Sequence, residues 1–145
     1  MPSSQTAIVI LAAGKGTRMR SDKPKVLHAV AWRPMIAHVV DATIALGAAR
    51  RVLVVGHGGE AVRATALAED GSLTVVEQRE QKGTGHAVLQ AKDALAGFSG
   101  TVLVVPGDVP LVRTETLVAL LKHHEASGAP VTVLTSKPAD ATGYG

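Results

Sequence analysis

IVILAAGKGTRMRSDKPKVLH, residues Ile8 to His28, passes abruptly from an apolar run into small, glycine-containing and basic residues. The run from Ala7 to Leu11 is short, rich in β-branched side chains and bounded by glycine, which predicts a fully buried strand of a parallel sheet. Glycine lets a backbone approach a ligand closely, and successive N–H groups in such a turn form a nest for an anion. Arg18, Lys23 and Lys25 surround that position with positive charge. The simplest reading is a phosphate-bearing ligand at the carboxyl end of the first strand. An ordinary strand-to-loop turn with solvated basic residues is the bland alternative. Two better-known phosphate loops are excluded by spacing. A dinucleotide fingerprint needs a third glycine where Met19 stands and an acid where the next strand ends at Val55-Gly56. A Walker-type loop ends in Gly-Lys-Ser/Thr, whereas Lys82-Gly83-Thr84 has the order reversed.

Downstream, Met35, Val39, Ala42 and Leu46 share one helical face, with Pro34 suited to the first turn and Gly47 to the C-terminal cap. Arg51 to Val55 predicts a second buried strand, Glu60 to Ala68 a short helix, and Leu73 to Glu77 a third strand. Ala87, Val88, Ala91 and Leu95 recur at helical spacing between Gly85 and Leu95, and Thr101 to Val105 predicts a fourth strand. Thr114 is a good N-cap for a helix from Glu115 to Glu125, which Gly128 ends, and Val131 to Leu134 predicts a fifth strand. Alternating strands and helices call for a three-layer α/β fold with a mostly parallel sheet and right-handed crossovers. Ligands of such sheets bind beyond the carboxyl ends of the strands, at a switch point. The loops after Leu11, Glu77 and Val105 all fall at that edge.

A chain of 145 residues, 46% of them apolar, is one domain with one core. Trp32, Phe98 and Tyr144 are its only aromatics, so the stacking platforms of single-stranded nucleic-acid binders are missing, and no nucleic-acid partner is expected. A net charge of +3, with the basic residues dispersed, reads as local phosphate handling. Cysteine is absent, which removes disulfide and thiolate chemistry. No apolar run approaches the roughly 20 residues of a membrane span. Met1 to Thr6 carries no basic segment ahead of the apolar stretch, so neither a membrane nor a signal peptide is expected and a cytoplasmic location is the default.

The loop Gln78 to His86 offers an amide, a hydroxyl and two glycines ahead of a helix. A glutamine can pair with a nucleobase edge, because it both donates and accepts; equally, Gly83 and Gly85 could merely shape a βα turn. Asp108, at the end of the fourth strand, is the best metal-ligand candidate, since Mg²⁺ takes one or two carboxylates and completes its shell with phosphate oxygens and water. Asp before Val-Pro is also a common turn residue. His28, His38 and His86 read as partly buried structural residues, and His123-His124 as residues near a helix C-terminus, where the dipole favours them. Zinc and a Ser-His-Asp constellation are not expected.

Leu11 to Met19, followed by Ser21 to His28, resembles the sugar-nucleotide pyrophosphorylases. The similarity extends to the N-terminal uridylyltransferase domain of the bifunctional bacterial enzymes that make UDP-N-acetylglucosamine. It continues through Gly56-His57-Gly58, Gly83-Thr84-Gly85-His86-Ala87, Gly107-Asp108-Val109-Pro110-Leu111 and Thr142-Gly143-Tyr144-Gly145. The resemblance implies a Rossmann-like nucleotidyltransferase fold, incomplete at the C-terminus. It also implies that residues 1–145 form the N-terminal part of a pyrophosphorylase domain without the family's β-helix acetyltransferase domain, through which full-length members trimerise. Further roles follow from it. Leu11, Ala12, Ala13 and Gly14 would line the uridine nucleotide through their main chain, with Gly16 and Thr17 in the same loop. Arg18 and Lys25 would be catalytic, neutralising the triphosphate and the transferring α-phosphate. Gln78 would read the uracil edge beside Gly83 and Thr84. Pro106 and Gly107 would lie along nucleotide or sugar, Asp108 would hold Mg²⁺, and Gly145 would approach the N-acetyl sugar. The implied reaction is attack by a phosphate oxygen of N-acetylglucosamine 1-phosphate on the α-phosphorus of UTP, with release of pyrophosphate. Thymidylyl or cytidylyl transfer, and nucleotide binding without catalysis, are the alternatives.

Overall fold

The computed structural model of the chain describes residues 5–14, 16, 20–56, 58–140 and 142. Along these residues run β1 (Thr6–Ala12), a 3₁₀ turn (Lys25–Leu27), β2 (Ala29–Val30), β3 (Arg33–Pro34), α1 (Met35–Ile44), β4 (Arg50–Gly56), α2 (Glu60–Glu69), β5 (Thr74–Gln78), α3 (Thr84–Leu89), β6 (Thr101–Pro106) and α4 (Thr114–Ser127). The main sheet has four parallel strands in the order β5-β4-β1-β6. β1 is hydrogen-bonded on both sides, with Ile10 paired to Leu53 of β4 and to Val105 of β6.

Both faces of β1 are covered, which is why its sequence is continuously apolar instead of alternating. Ile8 and Ile10 point to one face and join Ile36, Val39 and Val40 of α1, Val62 and Ala66 of α2, and Leu117 and Leu121 of α4. Val9 points to the other and meets Val52, Val54, and Ala87 and Ala91 from α3 and the turns after it. The fold is therefore three-layered, as the alternation of strands and helices predicts. From β1 the chain steps to β4 and β5, then reverses across β1 to β6. With crossovers of constant right-handedness, that reversal moves α3 to the opposite face from α1 and α2. It also opens a crevice at the carboxyl end of β1, the switch point.

Three local expectations are corrected, and one element is added. Val131 to Leu134 is not a strand; residues 130–139 have no regular structure, and Val131, Val133 and Leu134 are exposed. Strand propensity expresses packing on neighbours, and this segment has no ladder partner among the described residues. The helix expected up to Leu95 is regular only to Leu89. Beyond it the bonds tighten to a 3₁₀ pattern, with Ala91 N–H donating to Val88 O at 3.0 Å and Lys92 N–H to Leu89 O at 3.1 Å. Thr114 does not cap α4, because its hydroxyl donates to Ala42 O of α1 at 2.9 Å; Arg113 holds the N-cap position. The β2–β3 hairpin was not foreseen, since its turn uses Ala31 and Trp32 at φ of 48° and 68°, residues without a turn signature. Gly128 ends α4 as expected, at φ 61°.

Candidate active site

A cleft of about 510 Å³ opens at the carboxyl ends of β1, β5 and β6. Leu11, Ala12, Ala13, Gly14, Gly16 and Lys25 line it from the segment after β1, Gln78, Gly83 and Thr84 from the loop after β5, and Pro106 and Asp108 from the end of β6. Eleven of the expected site residues thus share one cavity, although they come from three loops. Gly107 does not line it. Its N–H donates to Leu11 O at 2.8 Å, and a Cβ there would lie 2.9 Å from that same oxygen, so Gly107 docks the end of β6 against β1 and sets Asp108 at the rim. Thr17, Arg18 and Gly145 lie outside the described residues.

Lys25 reaches the cleft from the 3₁₀ turn. Val26 and Leu27 are buried beside it, and Leu27 N–H donates to Pro24 O at 2.9 Å, so the turn is anchored and Lys25 is left facing the cavity. Gly16 permits this approach: it adopts φ 59°, and a Cβ on it would stand 2.6 Å from Lys25 Cβ. Lys25 Nζ lies 2.7 Å from Asp108 Oδ2, a pair separated by 83 residues in sequence. Both side chains remain more than a third exposed, so the pair contributes at most about 1 kcal/mol to stability. Its chemical meaning is that the carboxylate faces a cation at the cleft rim. No cluster of three or more His, Asp or Glu is found among the described residues. A metal on Asp108 would thus have one carboxylate from the described residues and would need further oxygens from a bound ligand and water.

Gln78 ends β5 and is 3% exposed, yet borders the cleft. Its Nε2 lies 3.2 Å from Gly83 O and 3.0 Å from His86 Nδ1. Sequence reasoning missed three lining residues, Gln81, Val26 and Ala87. Gln81 donates from Nε2 to Ala13 O, tying the second loop to the first. A second amide three residues after Gln78 was the available signal, but nothing local connects it to Ala13. His38 and His86 are partly buried and hydrogen-bonded as expected of structural residues, His38 Nε2 lying 2.8 Å from Val30 O; His123 and His124 fall in the last turns of α4, where His123 is exposed and His124 Nδ1 lies 2.9 Å from Thr132 Oγ1. His28 is also partly buried, but its Nε2 has no hydrogen-bond partner among the described residues.

The family model of the MobA-like NTP transferase domain matches residues 8–141. The chain is 56% identical over 137 residues to the bifunctional protein GlmU of Exiguobacterium sp., covering 94% of this chain and 30% of that protein. It is 53% identical to the bifunctional protein GlmU of Syntrophotalea carbinolica, over 100% of this chain and 31% of that one. The chain therefore spans about 30% of the length of these relatives. Among solved structures, a nucleotidyl transferase from Methanothermobacter thermautotroptrophicus superposes with a TM-score of 0.69 at 25% identity, covering 83% of this chain and 58% of that one.

Proposed function

The chain belongs to the MobA-like NTP transferase family, and within that family of nucleotidyltransferases we propose that it transfers UMP from UTP to N-acetylglucosamine 1-phosphate, releasing pyrophosphate. The observation that carries this reading is the meeting of Lys25 and Asp108, 2.7 Å apart, in a cleft that Leu11 to Gly14 also line. A volume of about 510 Å³ falls in the range of small-ligand and cofactor sites. Two relatives more than half identical bear the name of the bifunctional protein GlmU.

In-line transfer at phosphorus needs no protein nucleophile; it needs reactants held in line and charge neutralised as the pyrophosphate leaves. Leu11 to Gly14 hold the nucleoside through the main chain, and Gln78 meets the base edge. Lys25 faces the α-phosphate, where a fixed cation in a walled cleft stabilises developing charge far better than water does. Arg18, which precedes Lys25 in the sequence, would add a second cation. Asp108 is the residue that would hold Mg²⁺, whose chemistry here would be charge neutralisation on the phosphate oxygens.

The test is turnover with UTP, CTP or dTTP as donor, N-acetylglucosamine 1-phosphate as acceptor and Mg²⁺ present. Pyrophosphate release with UTP above the other donors is expected. Release led by CTP or dTTP would replace the donor. If UTP shifts the amides of Gly14 and Gln78 in an NMR titration but no donor is turned over, binding without catalysis is the correct reading.

A further inference from the structure

His86 does not border the cleft; it stands behind Gln78, which does. The Gln78 amide nitrogen lies 3.2 Å from Gly83 O and 3.0 Å from His86 Nδ1. A carbonyl oxygen can only accept, so the end of the amide facing Gly83 is the NH₂. Its second hydrogen then points to His86 Nδ1, which must carry the ring's lone pair, and the proton of the neutral imidazole sits on Nε2. Gln90 Nε2 donates to His86 O at 3.0 Å and passes 3.3 Å from His86 Nε2. A neutral ring has one lone pair, already committed at Nδ1, so that second approach is a contact and not a hydrogen bond. With both amide hydrogens of Gln78 engaged, the atom left for the cleft is Oε1, an acceptor. Rotating the amide would set Oε1 against the Gly83 carbonyl, two acceptors facing each other with no hydrogen between them.

We propose that His86 is a positioning residue that fixes which end of the Gln78 amide the cleft presents, and so sets the base preference of the site. This rests on the nucleotide reading above. An outward acceptor matches a base with a ring N–H at the recognised position, as in uracil, and opposes one with a lone pair there, as in cytosine. His86 acts through Gln78 and touches no ligand.

Two measurements test it. Nitrogen-15 NMR of the imidazole in the ligand-free protein, at about pH 8 where an ordinary histidine is neutral, should find the proton on Nε2; a ring protonated on Nδ1 would overturn the proposal. Calorimetric titration with UTP and with CTP, each with Mg²⁺, should show a UTP preference in the wild type that falls about tenfold in His86→Leu, the effect of one lost hydrogen bond. His86→Asn, which places an acceptor near the Nδ1 position, should restore it. A folded His86→Leu protein with the wild-type ratio would also sink the idea. If the wild type binds neither nucleotide, the proposed function fails, and the imidazole tautomer alone decides whether His86 holds the amide.

Discussion

Lys25 and Asp108 each satisfy the other's charge while staying open to solvent, so exchanging that pair for a phosphate and a metal costs the fold little. Asp108→Asn should change the unfolding free energy by less than about 1 kcal/mol while abolishing nucleotide-dependent Mn²⁺ binding, read by electron paramagnetic resonance. Retention of that binding would remove Asp108 from the metal site. Gly16 is different, because its constraint is steric. Gly16→Ala must place a Cβ at φ 59° and within 2.6 Å of Lys25 Cβ. The left-handed conformation alone costs about 1–2 kcal/mol for an L-residue, and relief of the clash would push Lys25 off the cleft. Both the urea midpoint and turnover should fall, whereas an unchanged turnover would show that Lys25 does not act where its side chain now sits.

Among the elements, α3 is the one whose packing most directly shapes the site. It approaches the sheet through small residues, Ala87 in the helix and Ala91 just beyond, both against Val9, Val52 and Val54. Small side chains let it lie close enough for Gly83, Thr84 and Ala87 to border the cleft. Ala91 is fully buried, so Ala91→Leu should cost about 1–3 kcal/mol by overpacking, with the urea midpoint lowered at constant slope. Weakened UTP binding in the same variant would show that α3 carries its loop with it. The periodicity from Gly85 to Leu95 revealed that this face is apolar, but not that the helix tightens after Leu89. There Arg50 of β4 donates to Ala94 O at 3.1 Å and Ala96 O at 2.8 Å, contacts from another element that no local pattern records.

For the molecule as a whole, a ligand that binds only the folded state should stabilise it by mass action. UTP with Mg²⁺ at about 100 times its dissociation constant should raise the unfolding free energy by about 2.7 kcal/mol, seen as a higher thermal midpoint, with NADH as the inert control. A midpoint indifferent to UTP would contradict nucleotide binding in the cleft. The sequence by itself determined the buried strands, the alternation of strand and helix, and the edge where the chemistry lies, because these depend on local composition: apolar runs, glycine turns and the residues that follow each strand. It also marked Gly14, Gln78, Gly83, Thr84 and Asp108 as candidates, since glycines and polar groups at strand ends are legible without neighbours, whereas Leu11 to Ala13 entered through the family resemblance alone. Only the tertiary structure decided that Lys25 meets Asp108, that Gln81 reaches Ala13, that Thr114 serves Ala42 instead of its own helix, and that Val131 to Leu134 stays irregular. Each of these depends on a partner far away in the chain or on a free ladder edge, and the reversal of strand order after β5, which brings the three loops together, is written in no single segment.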